Sequence, residues 1–353
     1  MVQTETKLSL YAYLTLFCVL LGVFFLDLST GSVRIPLHDV VKILTGGQPT
    51  RDSWSNIIWL FRFPKAITAV LAGAGLAVSG LLMQTLFRNP LAGPSVLGIT
   101  SGAGLGVALV VLAATAGGAN SDFLDGLGAL GHFGIVLAAS CGSTLVLGII
   151  FLFARKVRNV MTLLILGVLL GYATSAFVTV LIHFSIAERI QTYIEWTFGS
   201  FGATTWNQLH IFIPVVLVGL LMSLFASKPL NALLLGEAYG RSLGVNIRRV
   251  RFAIIGITAF LSGTITAFCG PIAFLGIAIP HLCRSLFRTS DHRILLPTSI
   301  FWGAIVALMA DLVSQLPGSH VVLPLNAILS LIGAPVVLWL ILKRQNIQET
   351  FAA

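Results

Sequence analysis

Glu237, Tyr239, Arg241 and Ser242 fall within residues 236–246, GEAYGRSLGVN, a polar island with a glycine turn set between long apolar runs. That island is the segment best suited to touch a soluble partner. No motif with chemistry of its own stands elsewhere. The chain lacks GxxxxGK[ST], so it has no loop of that type to cradle nucleotide phosphates, and it lacks HExxH. Ser79 in GLAVSG lies mid-span without a paired base. Cys18, Cys141, Cys269 and Cys283 show no paired spacing and read as ordinary core thiols, so neither a disulfide framework nor a metal site is indicated. No catalytic residue, bound cofactor or metal ligand is expected in this chain.

The elements that must position the island are membrane helices. Of 353 residues 57% are hydrophobic and 9% charged, and mean hydropathy is +0.98. Spanning ~30 Å of hydrocarbon takes roughly 20 apolar residues per helix, because each backbone amide must be satisfied within its own segment. That ruler gives an all-α, polytopic membrane protein of about ten spans: 10–29, 63–86, 95–116, 133–154, 160–184, 207–227, 250–270, 273–287, 296–315 and 324–342. The eighth is short and carries Pro280, with Pro271 just ahead of it. The first is too long for a signal-peptide core and is expected to stay as an anchor.

Positive residues near short loops remain in the cytoplasm. With the N-terminus inside, the cytoplasmic ends collect Lys7, Arg88, Arg155, Lys156, Arg158, Lys228, Arg241, Arg248, Arg249, Arg251, Arg284, Arg288, Arg293, Lys343 and Arg344, most of the 21 basic residues. Arg34, Lys42, Arg51, Arg62, Lys65 and Arg189 stay outside, where Asp122 and Asp125 also fall. Both termini are therefore expected in the cytoplasm. Topology alone accounts for the net charge of +9 without nucleic acid as a partner.

Small residues at every fourth position, Gly98, Gly102 and Gly106, then Gly167 and Gly171, then Gly75 and Ser79, allow helices to approach closely, first of all within one subunit. Ionisable residues at membrane depth are nearly absent, since Asp27 and Asp311 lie near span ends and His183 and His281 near interfaces. An ion-gradient-driven secondary transporter is therefore the alternative reading. A pump without its own nucleotide site must receive force from another subunit, and residues 228–247 offer the surface. Pro229 starts a helix there, Gly236 breaks it, and Gly244 ends it before Arg248, Arg249 and Arg251. Composition alone leaves a plain solvated loop equally open.

Several blocks carry a resemblance: RFPKAITAVLAGAGLAVSGLLMQTLFRNPLAGPSVLGITSGAGLG at 62–106, LLLGEAYGRSLGVNIRRVR at 233–251, GPIAFLGIAIPHLCR at 270–284, DHRILLP at 291–297 and LPLNAILSLIGAPVVLWLI from 323. In their order the chain resembles the permeases of the iron-siderophore, haem and vitamin B12 uptake family, the FecCD-like ten-helix subunits of type II ATP-binding cassette importers. The resemblance implies one permease domain over 1–353, with cytoplasmic coupling helices at 228–247. It implies that Glu237, Tyr239, Gly240, Arg241 and Gly244 sit in a groove of a cytoplasmic ATPase pair, which binds the ATP. Asn89, Pro90 and Leu91 match the loop that constricts the inner end of the pathway. Arg62 and Lys65 match basic positions facing an extracytoplasmic substrate-binding protein, although both would serve equally as snorkelling anchors. Pro280 with His281 reads as a structural kink before it reads as a ligand site.

The match has departures. Gln315 stands where cobalamin-type relatives have Arg, and Val322 where they have Glu. One outer salt bridge is thereby lost from the expected pattern. The resemblance further implies a pair of permease copies, a homodimer or a pair with a close paralogue, enclosing one path in the cytoplasmic (inner) membrane. The cargo implied is an iron-siderophore, haem or cobalamin. Path-lining residues are expected on the fifth span, Gly167 to Val180, and near Asn89. The topology has a direct test: cysteines introduced at Ser121 and Asn246 should label from opposite faces of the membrane, and same-sided labelling would overturn the span count.

Overall fold

The computed structural model describes residues 2–112, 128–157, 160–315 and 322–343. Residues 113–116 of the expected third span, together with Ser121, Asp122, Asp125, Arg158 and the chain after 343, lie outside the described residues. The elements run α1 (Val2–Ser29), α2 (Leu37–Leu44) and α3 (Asp52–Asn56), which passes through a π-helical turn (Ile57–Arg62) into α4 (Phe63–Phe87). A 3-10 turn (Pro94–Leu97) leads to α5 (Ile99–Val111), α6 (Gly128–Lys156), α7 (Val160–His183), α8 (Ala187–Thr197) and α9 (Trp206–Phe225). Then come α10 (Ser227–Leu234), α11 (Glu237–Ser242), α12 (Ile247–Cys269), α13 (Leu275–Phe287), α14 (His292–Ser314) and α15 (Leu325–Lys343).

Each of the ten expected spans coincides with a helix. Among the described residues seven helices are long and apolar enough to cross a membrane, and the segments Ile99–Val111, Leu275–Phe287 and Leu325–Pro335 are shorter apolar helices. The remaining elements α2, α8, α10 and α11 connect spans at the two ends of the bundle.

α4 is the hub. In the continuous helix that contains it, 83% of the most apolar window is buried, against 17% in α7. α14, α12, α13 and α9 all pack on it. Hydrocarbon gives helices no hydrophobic reason to associate, so contact depends on close backbone approach through small residues. A Cβ built on Gly73 would lie 2.2 Å from the Gly303 carbonyl oxygen, and one on Gly80 would lie 1.7 Å from the oxygen of Gly276. The repeating glycines noted in the sequence act within the subunit in the same way. A Cβ on Gly106 would meet the Ala138 oxygen at 2.0 Å, and one on Gly167 the Val96 oxygen at 2.2 Å.

The short eighth span has a physical cause. Between α12 and α13 the chain leaves helical geometry at Gly270 (φ +73) and Phe274 (φ +65), which strands backbone groups that lipid cannot satisfy. Asn326 at the start of α15 answers them: its Nδ2 donates to the carbonyls of Pro271 (2.5 Å) and Thr197 (3.1 Å), and its Oδ1 accepts from Ala273 N at 3.0 Å. One amide thus ties the break to the end of α8 and to α15.

Gly303→Leu should therefore lower the thermal midpoint and yield of detergent-purified protein, by overpacking worth about 1–3 kcal/mol. Gly22→Ala, where an added Cβ meets nothing within 4 Å, should leave the midpoint unchanged or slightly raised. Equal behaviour of the two variants in a thermal melt would refute the close-approach argument.

Candidate functional site

The polar island forms a small, fixed relief at the basic end of the bundle. α10 stops at Leu234, and Gly236 turns the chain at φ +111, a conformation that L side chains rarely adopt. α11 then occupies six residues and ends before Gly244, φ +79. Gly240 is buried because a Cβ there would come within 3.0 Å of Ile247 Cδ1, so α11 lies directly on the start of α12. Glu237 acts within the subunit: its Oε1 accepts from Arg251 Nη2 at 2.8 Å, and its Oε2 lies 3.5 Å from Arg241 Nη2. What faces away from the bundle is Leu235, Tyr239 and Leu243, respectively 59%, 52% and 58% exposed. Tyr239 and Leu243 stand four residues apart, on one face of the helical turn. Leu235 and Leu243 were not singled out in the sequence, where apolar residues in an apolar chain carry no signal.

Behind this relief a polar relay reaches the spans. Asn231 on α10 donates through Nδ2 to Asp291 Oδ1 at 2.6 Å. Its Oδ1 accepts from His292 N at 2.9 Å and pairs with His292 Nδ1 at 2.7 Å. His292 Nε2 pairs in turn with Thr85 Oγ1 on α4 at 2.8 Å. With the ring proton on Nδ1, Nε2 accepts from the threonine hydroxyl. Partial burial works against a charged Asp291, but hydrogen bonds from Arg293 N and Asn231 hold its carboxyl below the usual carboxylate range. Arg88, the left-handed C-cap of α4, donates from Nη2 to the Leu233 carbonyl at 2.8 Å. α10 is thereby joined to α4 and α14 by side chains that the sequence gave no reason to pair.

Asn89, Pro90 and Leu91 lie at the same end. Asn89 Oδ1 accepts from Leu91 N at 2.9 Å, closing a tight turn that leaves Leu91 49% exposed. The Pro90 carbonyl is held by His281 Nε2 at 2.9 Å, which gives His281 a structural task on α13. Gln84 completes the fastening, accepting from Arg284 Nη1 and donating to the Ile277 carbonyl at 3.1 Å.

Arg62 and Lys65 lie at the opposite end, and the exposed basic pair expected there is not found. Arg62 is 6% exposed, its Nη1 donating to the Leu28 carbonyl at 2.7 Å and its Nη2 to that of Val33. Lys65 Nζ lies 2.6 Å from Asp311 Oδ2, with both side chains largely buried. Gln315, the departure from the resembling pattern, donates to the same Asp311 oxygen at 2.6 Å and lies 3.5 Å from Asp27 Oδ1. Sequence spacing places these cations away from the basic end but could not reveal Asp311, which arrives from α14. The cations exposed at this end are Arg34, Lys42 and Arg51, the last 5.5 Å from the Trp54 ring centroid.

Among the described residues no group of three or more His, Cys, Asp or Glu side chains could hold a metal ion.

The FecCD transport family profile matches residues 18–343. The vitamin B12 import system permease protein BtuC of Klebsiella pneumoniae subsp. pneumoniae is 38% identical over 289 residues, covering 82% of this chain and 83% of that protein. Its counterpart in Escherichia coli O9:H4 is 36% identical over 289 residues, covering 82% and 84%. The solved structure of a metal-chelate type ABC transporter in an inward-facing conformation superposes with a TM-score of 0.81 at 28% identity, covering 94% of this chain and 99% of that one. PsaBC from Streptococcus pneumoniae, at 17% identity and a TM-score of 0.53 over 85% of this chain and 95% of that one, shares the fold alone. With a profile that spans nearly the whole sequence and relatives above 30% identity over most of it, the chain belongs to the FecCD transport family.

Proposed function

We propose that this permease carries a corrinoid or a ferric chelate of similar bulk inward, driven by an ATPase pair that docks on α10 and α11. One observation carries the reading: Leu235, Tyr239 and Leu243 project from a helical turn that is braced from behind. Glu237 ties α11 to Arg251 of α12, and Asn231 with His292 ties α10 to α14 and α4. A knob that is exposed, apolar and rigidly backed can transmit a push to the spans. Glu237 and Gly240 serve as braces in this reading, Tyr239 makes the contact, Arg241 borders it, and Gly244 supplies the turn that ends it. The ion-gradient alternative is set aside by membership of a family whose relatives include import-system permeases.

The basic end faces the cytoplasm in this proposal, with both termini inside. Two copies enclose the path. The exposed apolar faces of α7, at Leu169, Tyr172 and Phe177, and of α15, at Leu331 and Ile332, suit a second copy. Asn89, Pro90 and Leu91 form the inner constriction, fixed through His281 to α13. A binding protein docks at the other end on the rim of Arg34, Lys42 and Arg51, while Arg62 and Lys65 hold that rim in shape. The corrinoid is favoured by the naming of the relatives as vitamin B12 permeases.

Five measurements test the proposal. Tyr239→Ala with Leu243→Ala should weaken co-purification of the ATPase subunits about tenfold to a hundredfold, as loss of a central apolar contact does. Undiminished assembly would sink the docking face. Asn231→Leu should leave the complex intact and hydrolysing ATP but cut uptake in vesicles, and normal uptake would remove the relay from the mechanism. At low salt, Lys42→Glu with Arg51→Glu should slow association of a binding protein, because rim charges act mainly through association rate. Lys65→Glu should instead lower folded yield by setting a second carboxylate against Asp311 in place of its cation. Uptake assays with cobalamin, haem and a ferric siderophore decide the cargo.

A further inference from the structure

Between the end of α6 and the start of α12 lies a cleft of about 650 Å³ lined by Arg155, Lys156, Arg241, Asn246, Arg248 and Arg251. Arg248 leans across it, its Nη2 donating to the Arg155 carbonyl at 3.3 Å and its guanidinium 5.9 Å from the Phe252 ring centroid. Glu237 is the carboxylate that pairs with lining cations among the described residues, and it engages Arg251 and Arg241. Arg155, Lys156 and Arg248 therefore add positive charge to the cleft beyond what Glu237 offsets, and the N-terminus of α12 adds more.

Depth identifies the anion. α6 and α12 are both spans, so a cleft between their ends lies at the level of lipid headgroups. Within the turn that precedes Arg155 on α6, Leu152 and Phe153 are 64% and 45% exposed, as residues facing acyl chains would be. Arginine forks match phosphate oxygens in pairs, and basic pockets between membrane helices suit anionic headgroups. We propose that this cleft holds the phosphodiester headgroup of an anionic phospholipid, with its acyl chains along Leu152 and Phe153. Because Arg241 and Arg251 also hold Glu237, the bound lipid would sit at the root of α11. That last consequence rests on the proposed coupling role, whereas the binding itself does not.

The test is binding of phosphatidylglycerol to the intact permease complex in phosphatidylcholine nanodiscs, read by native mass spectrometry across a titration. Arg155→Gln, Lys156→Gln and Arg248→Gln together should weaken retention about a hundredfold, taking roughly 1 kcal/mol per cation. The charge-preserving pair R155K and R248K should stay within a few-fold of the parent protein. If the triple variant is not monodisperse, K156Q and R248Q singly should each lose about fivefold by the same arithmetic. Parent-like retention in the neutralised variants overturns the site. So does displacement of phosphatidylglycerol by equimolar soluble pyrophosphate, which would assign the cleft to a free polyanion. Binding only after the ATPase subunits are stripped away also overturns it, making the cleft a protein contact. None of these readouts requires transport, so a failure here is distinct from a failure of the import reading.

Discussion

Close backbone contact around α4 is the constraint on which the rest of the molecule depends. Lipid is as apolar as the helices it surrounds, so a span is retained at the centre of a bundle only where its neighbours come near enough for dispersion and backbone contact to prevail over lipid. Gly73, Gly80, Gly276 and Gly303 allow that approach, and no larger residue fits without displacing a carbonyl or, at Gly276, the Pro94 ring. The central rod then carries different chemistry at its two ends. Arg62 and Lys65 stand at its start among carbonyls and carboxylates, while Gln84, Thr85 and Arg88 stand at its finish, gripping α13, His292 and α10. A displacement of α10 is consequently felt first by α4 and α14.

How much of this was legible in the sequence depended on how far each partner lies along the chain. Span number and placement could be read because hydropathy is a local property, and the break at Gly236 and end at Gly244 because glycine marks backbone that other residues resist. The packing role of Gly102 and Gly106 was likewise visible from spacing alone. The burial of the outer basic pair is not legible, because spacing gives the end of a helix but not the direction of a side chain, and Asp311 lies far along the chain from Lys65. Asn231, His292 and Asn326 were passed over for a related reason: single polar residues near span ends are common, and only folding shows that each closes several hydrogen bonds at once. Glu237 stands out in the polar island, but its partner Arg251 reads in the sequence as one more topology-setting cation.

The irregular stretches share one logic. Membrane helices can be interrupted only where protein groups take over the abandoned backbone. Asn326 does so at the entrance of α13, and Arg88 does so for the end of α10, in both cases with a side chain from a different span. Each interruption is therefore also a junction. The segments that depart from regular helix are among those that fix neighbouring helices to one another, so local irregularity and long-range order coincide in this fold.

The cluster of Asp27, Arg62, Lys65, Asp311 and Gln315 also bears on how the chain is made. Its acids and bases come from α1, from the helix containing α4 and from α14, and the last is synthesised long after the others. Until α14 enters the bilayer, Lys65 has no Asp311 and must keep its ammonium within reach of interfacial water. Assembly at this end is accordingly a late event in biogenesis. A nascent chain halted before α14 would hold its early spans in the membrane with this corner still hydrated and Lys65 still without its carboxylate.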